Sequence, residues 1–367
     1  MYLIRIAAIF LSLPQLGLAQ FGDTLRMMWS HGTCAGTGPS RYTVSPMDPA
    51  DVSSYLPLGL MVDAHVTPID HVYFSPRNSA LGRDAYAVRA PADGVIVHIQ
   101  RRMQFVGDSS IVRGPTDEFR VVMEHSCSFW TYFDLITSLD PVIVEAMGGL
   151  RETQQPVLVR IPVTAGQTIG RIGGQTLDMG TVNAETALPG LLVPEHYAAE
   201  PWKVHTVDPL DYFDPAIREA LLALNARQVE PRGGRIDYDV DGQLVGNWFR
   251  EGSNWYRGIE QSYYWAGHFS AAYHYMDPSK IVISIGDFQG RSRQFFVTDN
   301  GPDPTQIGVD TGPVKYELLL NGPGGLQRQG VLLVQLLEGR KLQLEVFPQK
   351  IPSEVDGFTE AARIYLR

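Results

Sequence analysis

Ala85-Tyr-Ala-Val-Arg-Ala90, Pro91-Ala-Asp-Gly94 and Val95-Ile-Val-His-Ile-Gln100 run one after another, and their reading decides the fold. The first piece reads as a strand, and the last alternates apolar and polar residues with period two, which sets one side of an extended chain against a core. The middle piece is a turn, built from residues that fix or free the backbone where a chain reverses. Moving outward, Glu118-Phe-Arg-Val-Val-Met-Glu-His125 repeats the alternation, and Phe129-Trp-Thr-Tyr-Phe133 carries the aromatic and β-branched residues that strands favour. Val157-Leu-Val-Arg-Ile161 leads into Val163-Thr-Ala-Gly166-Gln-Thr-Ile-Gly170-Arg-Ile-Gly-Gly174, and no helix of length interrupts residues 61–207.

The period changes once. Asp214 suits a helix N-cap and Pro215 the first helical position, and Ile217, Leu221, Leu222 and Leu224 form one apolar face. Pro231-Arg-Gly-Gly234 ends that helix and marks a boundary. Beyond it, strands are predicted over Arg235–Val240, Gln243–Phe249, Ser270–Tyr275, Lys280–Gly286, Gln294–Thr298, Val314–Leu319, Gly330–Leu337 and Lys341–Phe347, with Phe358–Leu366 as one more. Such spacing suits a sandwich or an up-and-down barrel. The expectation is a mainly β protein divided into a leader at 1–19, a loop-rich segment at 20–60, a β domain at 61–207, a linker helix at 208–234 and a β-barrel or β-sandwich domain at 235–367.

Composition narrows the function. The 367 residues are 44% apolar and only 19% charged, with 36 Gly and 25 Pro, an ordinary balance for a secreted β protein rich in turns. The net charge of −10 comes without a basic run, which argues against nucleic acid and against an anionic membrane surface. Arg5, the apolar run Ile6–Leu13 and the small-x-small site Gly17-Leu18-Ala19 read as an export signal, with the mature chain starting at Gln20 in the periplasm or outside the cell. No later segment reaches the ~18 apolar residues of a membrane span. Cys34 and Cys127 are the two cysteines. Export allows one disulfide between them, and two buried thiols fit the sequence as well.

Five motifs fall in a telling order: His65-Val-Thr-Pro-Ile-Asp70-His71, Ala90-Pro-Ala-Asp-Gly-Val95, Val121-Val-Met-Glu-His125, Thr131-Tyr-Phe-Asp-Leu135 and Ile161-Pro-Val-Thr-Ala-Gly-Gln-Thr-Ile-Gly170. Their order resembles the M23 (lysostaphin/LytM-type) zinc metallopeptidases over roughly residues 60–190. The resemblance implies a duplicated-hybrid-motif β core. It also implies a zinc ion held by a His, an Asp and a second His, with water in the fourth place. Zinc acidifies that water, and further histidines move protons. Carried across, His65 and Asp70 stand for the first two ligands, although their spacing is one residue longer than the family's His-x-x-x-Asp. His71 can substitute or assist, and His125 matches a family histidine and is the candidate catalytic residue.

The later signature departs from the family. Where it has His-x-His, this chain reads Gln175-Thr-Leu-Asp178-Met-Gly180-Thr-Val-Asn183, and no His occurs between His125 and His196. Asp178 is the nearest candidate ligand, with Glu185 further on, and Asp134 stands near the family's Tyr-x-His-Leu histidine. A site of His65, Asp70, His71 and Asp178 would be richer in oxygen than a hydrolytic zinc site. The expectation is a degenerate, non-catalytic binding or scaffold protein at the cell envelope, with a cell-wall or surface glycan or a peptide as partner. An active zinc metalloendopeptidase with rearranged ligands is the rival. A plainer reading makes His65 and His71 loop residues bonded to carbonyls around Pro68.

Two other resemblances fail on chemistry. Biotinyl and lipoyl barrels share the strand motifs but need a modifiable lysine, and no Lys occurs before Lys203. His31-Gly-Thr-Cys-Ala-Gly36 resembles the histidine motif of subtilisin-like proteases, but the chain has no Gly-Thr-Ser. In the C-terminal part, Gly246-Asn-Trp248 is similar to the Gly-x-Trp opening of lipocalin barrels. Trp255, Tyr264, Trp265 and His268 belong to an aromatic group that could line a site for a small apolar ligand, or serve as core and rim. Asp237, Asp239 and Asp241 alternate, which reads as a calcium site or as solvated charge.

Overall fold

The alternating runs of the first half pair into two antiparallel sheets in this computed structural model, which describes residues 17–38, 40–103, 115–150, 156–259, 263–297 and 299–367. The strands are β1 (Val52–Leu56), β2 (Val72–Pro76), β3 (Tyr86–Arg89), β4 (Gly94–Met103), β5 (Pro115–Ser126), β6 (Phe129–Ile136), β7 (Ser138–Leu139), β8 (Val157–Val163), β9 (Thr168–Ile172) and β10 (Leu177–Asn183). Seven of them form one sheet in the order β1-β2-β10-β6-β5-β4-β8, and β3-β9-β7 form the other. The turn Pro91–Gly94 joins one sheet to the other.

Alternation gives the larger sheet two buried faces. Val72, Phe74, Ile96, Val121, Met123, Phe129, Phe133 and Met179 share the main core with Val88, Ile169 and Ile172 of the smaller sheet. Their neighbours Val97, Val122, Trp130, Tyr132 and Val182 point the other way, and Leu25, Trp29 and Trp202 cover them. Leu25 and Trp29 come from the helix α1 (Gly17–Ser30), which starts in the last three residues of the expected leader and runs into the segment expected to be loop-rich, where β1 also lies. Both positions are held by tertiary packing, a signal that local periodicity does not carry. Cys34 and Cys127 form a disulfide that pins the end of this lead-in to the β5–β6 turn. Residues 1–16, most of the expected leader, lie outside the described residues.

The short helix α2 (Pro141–Ala146) starts at Asp140, whose carboxylate accepts from the Val142 N–H at 3.0 Å. The helix α3 (Pro215–Leu224) appears where the sequence places it, but Asp214 makes no side-chain cap. Its carboxylate is taken by the Arg41 guanidinium instead.

The C-terminal half is a closed barrel of β11 (Gly246–Arg250), β12 (His268–Tyr273), β13 (Ile281–Phe288), β14 (Arg291–Phe296), β15 (Val314–Gly322), β16 (Gly325–Leu337), β17 (Lys341–Pro348) and β18 (Arg363–Leu366). Consecutive strands pair antiparallel, and β11 closes on β18 through Phe249 opposite Leu366 and Arg250 opposite Tyr365. Trp248, Phe269, Phe295, Tyr316 and Leu332 belong to one buried apolar cluster, as expected for a barrel whose eight strands enclose just enough room for side chains. Arg235–Val240 is not a strand. Asp237 there accepts from the Gly190 N–H, and Asp239 from those of Leu192 and Asn247, so these two carboxylates bind the backbone of the 190–192 loop and of β11 where a ladder was expected. Asp241 is exposed and pairs with Arg340 at 2.8 Å.

Candidate functional site

The second face of the larger sheet gathers the charged residues. Asp70 sits at the entry to β2, and alternation turns His71 and Tyr73 away from the face of Val72 and Phe74. Across the sheet Asp178 of β10 stands in register with Tyr73 on one side and Asp134 of β6 on the other. Gly180 makes room in this face, since a Cβ there would fall 2.0 Å from the Tyr132 ring.

Each carboxylate already has partners. Asp70 Oδ1 accepts from Lys203 Nζ at 2.6 Å, and Oδ2 accepts from Trp202 Nε1 at 2.7 Å and from the Tyr132 hydroxyl at 3.0 Å. Asp134 is held in a fork by Arg120, with Nε at 2.9 Å and Nη2 at 2.6 Å, and Arg102 Nη1 lies 2.7 Å from Oδ2. Asp178 Oδ2 lies 3.4 Å from His71 Nε2, and Oδ1 accepts from the Thr176 hydroxyl at 3.2 Å. The same His71 nitrogen lies 3.1 Å from the Tyr73 hydroxyl oxygen. His71 Nδ1 is 3.5 Å from Asp70 Oδ1, and the His65 ring centre is 5.9 Å from that of His71.

The electrostatics follow from this pairing. Burial would raise the Asp70 carboxyl, but the Lys203 ammonium and His71 outweigh it and hold the group well below the usual range. Burial lowers Lys203, and the Asp70 and Glu200 carboxylates more than reverse that. Asp134 is likewise held low by Arg102 and Arg120 against the effect of burial. Asp178 has no such cation on it, and burial pushes its carboxyl up to about 6. Burial and the neighbouring His71 lower His65 to about 3.

The sequence-predicted ligands therefore meet in part. Asp70, His71 and Asp178 come together, with His65 adjoining, yet no group of three or more His, Cys, Asp or Glu that could hold a metal ion occurs among the described residues. Zinc needs lone pairs facing one point. Both Asp70 oxygens face protein donors, and a buried ammonium sits where an ion would have to approach. These residues do not fit a hydrolytic zinc centre.

His125 lies elsewhere. It is wholly buried on the main-core face, with Nδ1 2.9 Å from the Asp93 carbonyl oxygen and Nε2 2.9 Å from the Thr131 hydroxyl. Thr131 and Tyr132 are adjacent in β6, so their side chains leave the sheet on opposite sides and His125 cannot reach Asp70. Burial holds His125 at about 4, and its neighbour Tyr42 joins Thr131 and Thr181 by hydroxyl contacts of 2.6 and 3.0 Å. Glu185, the more distant candidate, accepts from the exposed Ser128 hydroxyl at 2.8 Å.

Among solved structures the chain is similar to peptidases. A zinc-containing peptidase from Vibrio cholerae shares 16% identity over 40% of each chain, with a TM-score of 0.21. Lysostaphin from Staphylococcus simulans shares 11% over 71% of this chain and 92% of that one, at 0.27. A solution structure of lysostaphin shares 10% over 82% and 80%, at 0.21. Likeness at these scores carries no residue role across. No protein-family model and no curated protein matches the sequence.

Sequence reasoning missed Lys203, Trp202, Arg102 and Arg120. Lys203 carried one signal: it is the first lysine of the chain and stands beside a tryptophan. The aromatic group of the C-terminal half lies around one junction outside the barrel core. Trp255 stacks on His196 at 3.7 Å, Tyr264 packs 5.9 Å from Tyr256 and 5.0 Å from Trp265, and Trp265 stacks on Tyr263 at 4.6 Å. Buried His268 has Nε2 3.1 Å from the Tyr256 carbonyl oxygen, and burial lowers it to about 3. Tyr256 and Phe249 pack with Leu191, Tyr197 and Val204, and Lys203 lies 4.8 Å over the Tyr256 ring. These side chains join the barrel to the segment bearing Lys203.

Proposed function

We propose that this chain is an exported, non-catalytic binding or scaffold protein of the cell envelope, built on an M23-like β core whose former metal face is filled by protein charges. The observation that carries the reading is the Lys203 ammonium 2.6 Å from Asp70 Oδ1, in a site that also lacks the family's His-x-His. An ammonium there supplies the positive charge the carboxylate needs, without the open coordination position that activates water. The Cys34–Cys127 disulfide and the signal-like start favour an oxidising compartment. Among the described residues no helix is long and apolar enough to cross a membrane.

The test is to purify the protein after export, measure zinc per chain by elemental mass spectrometry, and incubate it with cell-wall material. The reading expects well under one zinc, no released peptides, and co-sedimentation with the wall that chelator does not change. One zinc per chain, with peptide release abolished by Asp70→Ala, would establish the rearranged metallopeptidase instead. Absence of wall binding would remove the envelope partner from the reading.

A further inference from the structure

A cavity of about 290 Å³ opens at the junction between β10's exit and the Gly234–Asp237 segment that leads to the barrel. Its walls are apolar at Leu58, Leu188 and Ile236, and acidic at Asp208, Asp211 and Asp237. One guanidinium, Arg235, belongs to the wall, and it is already spent on Asp237 at 2.8 Å. The other Asp237 oxygen accepts from the Gly190 N–H at 3.1 Å.

Asp208 and Asp211 have no such cation. Neither carboxylate forms an ion pair with a basic side chain among the described residues. Asp208 Oδ1 accepts from the Leu210 N–H at 2.9 Å, and among the described residues no hydrogen bond reaches Oδ2. Gly233 leaves that oxygen its space, because a Cβ there would fall 1.7 Å from it. A second observation points the same way. Tyr55, in one core cluster with Leu58 and Ile236, is wholly buried with its hydroxyl unpartnered, and after burial itself the charges that most raise its pKa are Asp208 and Asp211. Burial, with Asp211 adding to it, pushes the Asp208 carboxyl up to about 7. The cavity thus presents two carboxylates that no basic side chain pairs among the described residues, Arg218 acting on Asp208 without an ion pair, and an orphaned buried hydroxyl belongs to the core cluster that includes its Leu58 and Ile236 walls.

We infer that this cavity binds a primary ammonium group on a short apolar stem, with Asp208 and Asp211 as counter-charges and Leu58, Leu188 and Ile236 around the stem. An ammonium fits better than a guanidinium, since a planar fork wants both oxygens of one carboxylate and Asp208 has one to give. The cavity lies at the small end of ligand sites, which suits a stem of a few carbons. The chemistry is shared by a free alkylamine and by a lysine side chain of a bound peptide. None of these residues belongs to the Asp70 face, so the inference stands apart from the proposed function.

The experiment titrates the full chain at pH 8 with n-butylammonium, Nα-acetyl-lysine amide, n-butanol and calcium chloride, followed by calorimetry and by NMR of the 186–188 and 234–237 backbone. Binding of either amine, absence of butanol binding, and a loss of about tenfold or more in affinity for both Asp208→Asn and Asp211→Asn would establish the site. Asp211 is exposed, so its variant keeps the test sound if Asp208→Asn misfolds. Binding of both amines assigns the shared group, and binding of one alone assigns its source. Failure of both amines, equal binding of butanol, calcium binding in their place, or wild-type affinity in Asp211→Asn would overturn the inference.

Discussion

Replacing Lys203 by Met removes the one ammonium that, among the described residues, pairs with the buried Asp70 carboxylate. Asp70 and Lys203 are both buried, at 3% and 5% exposure, and 2.6 Å apart. Removing one partner of a buried pair costs about 3–5 kcal/mol, because the other charge is left uncompensated. The cost should depend on pH in a defined direction. In the wild type the Asp70 carboxyl lies below its unfolded value, so its contribution is present above about pH 4 and is lost as pH falls further. In Lys203→Met burial becomes the main influence on Asp70, its folded value rises above the unfolded one, and stability is instead lost as pH rises. Urea unfolding should therefore show a deficit of about 3–5 kcal/mol at pH 7 that shrinks towards pH 4. Adding Asp70→Asn to the variant should recover much of the deficit by removing the stranded charge. A deficit under about 1 kcal/mol at pH 7, or one that does not change with pH, would refute the view of this pair as the centre of the buried face.

Cys34→Ser opens a link between residues 93 apart, and loop-closure entropy puts the loss at about 4.6 kcal/mol, read as the difference in urea midpoint from the oxidised wild type. Gly180→Ala drives a methyl into the Tyr132 ring and should cost about 1–3 kcal/mol in thermal unfolding, with Tyr132→Leu in the same chain relieving part of it. Asp178 has its folded pKa raised to about 6, so its stabilising contribution is full below about pH 4 and is lost as pH climbs through 6. Asp178→Asn should flatten the stability profile across that window, and an unchanged slope would count against the assignment.

Much of the architecture could be read from period alone. The alternation at 95–100 and 118–125 became β4 and β5, and all eight runs named beyond residue 240, counting the tail, became barrel strands with ends moved by a few residues. Arg235–Val240 misled because its alternating aspartates look like the polar side of a strand, whereas they accept from N–H groups of the 190–192 loop and of Asn247 in β11. α1 was hidden because its apolar residues make sense only against Trp130, Tyr132 and Trp202. At the site, Asp70, His71 and Asp178 were legible as neighbours through motif order. What they do was not, since it hangs on Lys203 and Trp202, more than 130 positions along the chain from Asp70. The separation of His125 from them rests on strand parity: residues 131 and 132 face opposite sides, and parity becomes decisive only once the sheet is known to be covered on both.

The ring of strands in the barrel closes through its first and last members. Phe249 pairs with His268 of β12 on one side and finds its second partner only when Leu366 arrives, so during synthesis that edge of β11 stays bare while the six strands after it assemble. An unsatisfied edge held open that long is a template for pairing with other chains, and the long sequence separation of the closing contact makes the step slow. A protein made this way has reason to be met by a holding factor while it folds, and truncations that shorten β18 should surface as aggregates before they surface as lost function.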